Sequence, residues 1–128
     1  AMATGELELL MAPLNFVSRH TYNLESRLLP EARRRGMAVI AMKVLGGPVP
    51  PAEARLSAPE DVRAALRYVW SLPEVSVAIV GTRTPEQMRQ LLEEARNYRP
   101  LARGEAQQLL ERSKEKAREW GPLFGPIA

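Results

Sequence analysis

With 128 residues, 45% of them hydrophobic, the chain has apolar material for one real core and length for at most one ordinary domain. It has no cysteine, which excludes a disulfide framework, a thiolate metal site and a cysteine nucleophile. A net charge of +3, from 18 basic and 15 acidic residues of interspersed sign, argues against an extended cationic surface for nucleic acid.

No apolar run approaches the roughly 20 residues that a membrane span needs. The first residues lack a basic region followed by an apolar core, so no secretory leader is expected and the expected compartment is the cytoplasm. Ala1 and Met2 read either as an expression remnant or as residues of a chain that continues upstream.

The first strand is expected over residues 7–14, with Pro13 near its end, where a proline costs the ladder least. Residues 15–20 read as a loop carrying His20, the only histidine, with no carboxylate nearby in sequence to orient it as a base. Residues 24–35 form a helix capped by Asn23, with Leu24, Leu28, Leu29 and Ala32 at helical spacing and Pro30 as a kink or break. Gly36 ends it, and the Arg33-Arg34-Arg35 run offsets the dipole at its C-terminus.

A second buried strand spans residues 37–42 and leaves into a loop with Gly46 and Gly47, where Lys43 adds charge or points to solvent. Residues 48–54 hold three prolines and read as an ordered excursion. Ser57 and Glu60 have capping-box spacing for a helix to about Ser71, with Val62, Leu66, Val69 and Trp70 along one side.

The third strand, residues 75–80, is apolar at five of six positions, which suits a parallel strand covered on both faces. Gly81 permits a tight turn and close approach of a ligand. Thr84 caps the next helix, Pro85 takes its first position, and Gln87 has the spacing of a capping-box partner. That helix, residues 85–97, should turn Met88, Leu91, Leu92 and Ala95 inward. A last helix over 105–120 carries Leu109, Leu110, Ala117 and Trp120 on one stripe, and residues 121–128 read as an irregular tail.

The helix start at Pro85, with free N–H groups and a positive dipole end, makes an anion site to which Arg83 adds a forked guanidinium. The competing reading makes Arg83 a solvated loop residue and Gly81 only a turn. Strands alternating with helices predict an α/β fold with a parallel sheet. Three strands leave two unpaired edges, which need a partner or a larger sheet.

The strings Leu29-Pro30-Glu31-Ala32-Arg33-Arg34-Arg35-Gly36-Met37-Ala38-Val39-Ile40-Ala41-Met42-Lys43-Val44-Leu45-Gly46-Gly47 and Ile79-Val80-Gly81-Thr82-Arg83-Thr84-Pro85-Glu86-Gln87 resemble the aldo-keto reductases. They are most similar to the bacterial members whose penultimate strand ends in Met-Lys. The resemblance covers residues 1–128 as a partial domain. It implies the C-terminal portion of a (β/α)8 TIM barrel: three βα units plus a C-terminal helix. It also implies carbonyl reduction with NADPH, a small-molecule carbonyl substrate and catalytic residues in the absent first half. No residue here matches those catalytic positions, and neither Lys43 nor Tyr22 is a substitute for them.

By resemblance, Gly81, Thr82 and Arg83 sit where the family holds the adenosine 2′-phosphate, and Gln87 where it contacts adenine. Lys43, Leu45 and Gly46 line the loop near the pyrophosphate. Three departures stand out: Met11 replaces the usual Gln that meets the carboxamide, Met42 replaces a stacking Tyr as in the Met-Lys subgroup, and Leu91 replaces an adenine-binding Asn. A complete barrel needs about 250 residues. The expectation is therefore a fragment, inactive alone, completed by a missing N-terminal half or by self-association. The alternative is a non-enzymatic nucleotide-binding or assembly half-barrel.

Overall fold

The computed structural model describes residues 6–47 and 55–126; the expected excursion over 48–54 lies outside the described residues. The elements run β1 (Leu9–Pro13), α1 (Arg19–Tyr22), α2 (Leu24–Arg34), β2 (Ala38–Met42), α3 (Pro59–Trp70), β3 (Val75–Ala78), α4 (Pro85–Arg96) and α5 (Arg103–Trp120). The chain is thus mixed α/β, with one three-stranded parallel sheet in the order β1-β2-β3. No helix among the described residues is long and apolar enough to cross a membrane.

One helix was not anticipated. The stretch read as loop folds into α1 because buried Asn15 accepts from the backbone N–H groups of Val17 (3.1 Å) and Ser18 (2.8 Å), a local turn that starts a helix. Asn23 ends α1 in the left-handed region, φ 47°, and α2 begins at the next residue. Its side chain makes no cap bond, contrary to the expected cap. Helix α2 runs through Pro30 and closes as expected at Gly36, φ 65°, where Met37 N–H reaches back to Ala32 C=O at 2.9 Å. The expected Ser57 cap shifts by one residue: Pro59 takes the first helical position of α3, which makes Ala58 the cap.

The helices cover one face of the sheet. Ala12 of β1 and Val39 and Ala41 of β2 are buried with Leu29 and Ala32 of α2, Val62, Leu66 and Val69 of α3, and Leu109, Ala117 and Trp120 of α5. Among the described residues, nothing covers the other face. Register sets Met11 beside Ile40, and Ile40 beside Val77. Leu9, Met11, Val77 and Ile79 are 47%, 48%, 51% and 49% exposed.

This corrects the reading of residues 75–80 as buried on both faces. β3 is an edge strand, and its apolar outer face lacks cover among the described residues. It also bulges: Val75 pairs with Val39 and Val77 with Ile40, so Ser76 is the extra residue. The inward stripe foreseen for α4 fails likewise. Only Leu91 packs partly on the core, Ala95 is exposed, and Met88 and Leu92 are each 47% exposed.

The arginine run is tied internally. Glu31 takes Arg34 at 2.6 Å and also binds Arg35, and these two hydrogen bonds lower its carboxyl to about 2. Arg33 lies 3.8 Å from Glu74.

Candidate anion-binding site

The C-terminal ends of β2 and β3 open into a cavity of about 370 Å³, within the range of small-molecule sites. Ligands of parallel α/β sheets bind at this end of the strands. Of the residues singled out from sequence, Lys43, Leu45, Gly81, Thr82 and Arg83 line it. Gln87 lines an adjoining cavity of about 60 Å³ that shares Leu45, Gly81 and Thr82 with the first. Gly46 lines neither cavity; Gly47 takes its place in the wall of the larger one.

The loop after β2 is built around Lys43, a non-glycine residue in the left-handed region, φ 55°. Such a conformation is uncommon for a side-chain-bearing residue and needs support. Its carbonyl supplies that support by accepting from Gly46 N–H at 2.9 Å and from Asn15 Nδ2 at 3.1 Å. Gly46 is buried at φ 89° and closes this turn, which is its contribution to the site. Asn15 thereby couples the loop after β1 to the loop after β2. Its role was missed in the sequence because its partner is 28 residues away.

The start of α4 matches the capping chemistry expected of it. Thr84 Oγ1 accepts from Gln87 N–H at 3.2 Å, and Pro85 follows at the first position. Gln87 Oε1 reaches back to Arg83 N–H, at 2.7 Å, one residue before the cap. Glu86 is held below the ordinary carboxylate range first by its own backbone N–H and then by Arg89, 2.9 Å away. The amides of Arg83 and Gln87 are therefore occupied. Two of the donors expected to be free at the helix start are thus engaged within the chain.

Gly81 also differs in its reason. It is exposed, it is not among the glycines of positive φ, and a Cβ built on it would meet nothing within 4 Å. The turn does not need a glycine. The absent side chain leaves room in the walls of both cavities.

Arg55 is the lining residue that sequence reasoning overlooked; it borders both cavities. Neither cavity is lined by a carboxylate among the described residues. No group of histidine and acidic side chains capable of holding a metal occurs among them either.

His20 and Tyr22 are engaged elsewhere. His20 Nε2 donates to Leu110 C=O at 2.9 Å and lies 2.9 Å from Ser113 Oγ, pinning α1 to α5. Tyr22 donates to Gly125 C=O and accepts from Phe124 N–H, both at 2.8 Å, and so holds the C-terminal turn. Compared with known proteins, the chain matches no family model and no curated protein.

Proposed function

We propose that the chain is the C-terminal portion of a (β/α)8 barrel of the aldo-keto reductase kind and supplies part of an NADPH site. The observation that carries the reading is the two-sided character of the sheet. Three parallel strands lie in sequential order, with helices packed on one face and apolar side chains bare on the other. A section of barrel wall has this form: helices outside, and inside a face filled by layers of side chains from the remaining strands. A doubly wound sheet carries helices on both faces instead.

On this reading Leu9, Met11, Val77 and Ile79 are interior-layer residues, and the two open edges pair with strands of the missing half. The cavity lies at the end of the wall where such barrels bind ligands. Arg83 takes the adenosine 2′-phosphate, with Gly81 and Thr82 beside it. Lys43, Leu45 and Gly46 shape the loop at the pyrophosphate. Gln87 offers adenine its Nε2, since its Oε1 already accepts from Arg83 N–H. The bound cofactor supplies the hydride, and the general acid that completes carbonyl reduction belongs to the other half. The isolated chain is inactive.

Arg83→Ala tests the assignment by titration with NADPH and NADH. A charge-assisted bond to a phosphate is worth roughly 1.5–3 kcal/mol, so NADPH should weaken by about 10–100-fold while NADH hardly changes. Equal loss for both cofactors removes the assignment.

The bare face favours a second reading as well. Two copies of this chain can close on each other as a nucleotide-binding module without turnover. Carbonyl-dependent NADPH oxidation that appears only when an N-terminal half is supplied decides for the first reading; a stable dimer that binds NADPH and never turns over decides for the second.

A further inference from the structure

We propose that Arg55 is a second phosphate-binding cation of this site, gripping a phosphate other than the one assigned to Arg83. The inference rests on the NADPH reading above and adds a contact that neither motif carries.

Leu56 N–H donates to Leu45 C=O at 3.0 Å, and the Leu56 side chain is fully buried. This bond and this anchor fix the chain where it returns from the excursion toward α3. Arg55, one residue earlier, is thereby held near Leu45, and it borders the larger and the smaller cavity alike. Arg83 borders only the larger one. Arg55 is thus the cation common to both compartments, which also share Leu45, Val80, Gly81 and Thr82.

Arg33, Arg34, Arg35, Arg63, Arg67 and Arg89 each sit within 4.0 Å of a carboxylate. Among the described residues, no such partner is found for Lys43, Arg55 or Arg83, the three cations of the larger cavity. Like charges gathered in a concave site, with no acid lining it among the described residues, raise the local potential and favour a polyanion. A ligand carrying two separated phosphate groups satisfies them better than one phosphate can. Arg55 lies where the linking phosphates of a dinucleotide pass from one compartment to the next, and its forked guanidinium suits them.

The two arginines therefore differ in what they read. Arg83 should distinguish NADPH from NADH, whereas Arg55 should grip both. Titration calorimetry of the 128-residue chain tests this with NADPH, NADH and inorganic pyrophosphate, on wild type, Arg55→Ala, Arg55→Lys and Arg83→Ala. Arg55→Ala should weaken NADPH and NADH by the same factor, on the order of tenfold, and weaken pyrophosphate as well. Arg55→Lys should recover part of the loss, since a point charge remains without the fork. An unchanged melting temperature in both variants shows that the loop still returns on Leu56. Unaltered binding of all three probes by Arg55→Ala overturns the inference while leaving the NADPH reading intact. If wild type binds pyrophosphate through Arg55 but neither dinucleotide, the phosphate contact stands and the NADPH reading falls. Binding of none of the probes by wild type overturns both.

Discussion

Tyr68 joins α1, α2 and α3 through one hydroxyl. Arg19 Nη1 donates to it at 3.1 Å, and it donates to Glu25 Oε1 at 2.9 Å. Glu25 is only 7% exposed, and burial pushes its carboxyl above the ordinary value, although its own backbone N–H, Tyr68 and Arg19 pull the other way. Burial likewise pushes the Tyr68 hydroxyl up. The sign follows from linkage: a folded carboxyl with a raised value binds its proton more tightly than the unfolded one. Its contribution to stability therefore falls as pH rises from the unfolded value of 4.5 toward the folded one. Glu25→Gln keeps an oxygen for Tyr68 and removes the charge. Urea denaturation at about pH 5 and about pH 8 should show the variant gaining on wild type at the higher pH. A difference that stays constant with pH means that ionisation of Glu25 is not what burial penalises. None of this network was legible in the sequence, because Tyr68 lies 43 residues from Glu25 and 49 from Arg19. His20 is exposed but lies in α1 rather than in a loop, and its bond to Leu110 was not legible for the same reason, the acceptor lying 90 residues on.

At the scale of elements, what is local was legible. Thr84 capping α4, Pro85 at its first position and Gly36 closing α2 follow from side-chain chemistry that acts within one turn. The three strands and the four longer helices followed from periodicity and punctuation. What covers each face was not legible, since an apolar stripe states only that something should lie against it. Hence β3 was expected in the middle of a sandwich of helices, and α4 was expected with four inward residues. The strand–turn–helix at Gly81 shows a related limit: the glycine was identified, but for a turn that any residue can make. Gly81→Ala separates the two roles. With an ordinary φ and nothing within 4 Å of a Cβ, it should leave stability unchanged or raise it by about 0.4–1 kcal/mol through the unfolded chain. The same methyl intrudes on the walls of both cavities and should weaken NADPH. Thermal melts and cofactor titration on one preparation check both halves. Loss of stability together with binding means that the turn needed its glycine after all.

For the molecule as a whole, the informative mismatch lies between composition and exposure. Leu9 and Met11 on β1, and Val77 and Ile79 at β3, are apolar like core residues and about half exposed. The outer edges of β1 and β3 are also unpaired among the described residues. Bare apolar surface next to open edges drives association. At tens of micromolar, the isolated 128-residue chain should sediment well above 14.3 kDa and bind a dye that reports exposed apolar surface. Met11→Lys combined with Val77→Lys should shift it to the mass of one chain with little change in melting temperature, because both side chains already face outward. Neither residue lines the cavities, so NADPH binding should survive the double substitution. A wild-type chain that stays monomeric and dye-silent counts against the bare face as a contact surface, and with it against the barrel-wall reading. An associating chain whose double variant turns monomeric and still binds NADPH places the wall contact and the cofactor site on separate parts of the sheet. Division of labour of that kind is what a barrel uses: its interior layers hold the strands together, and the strand ends hold the ligand.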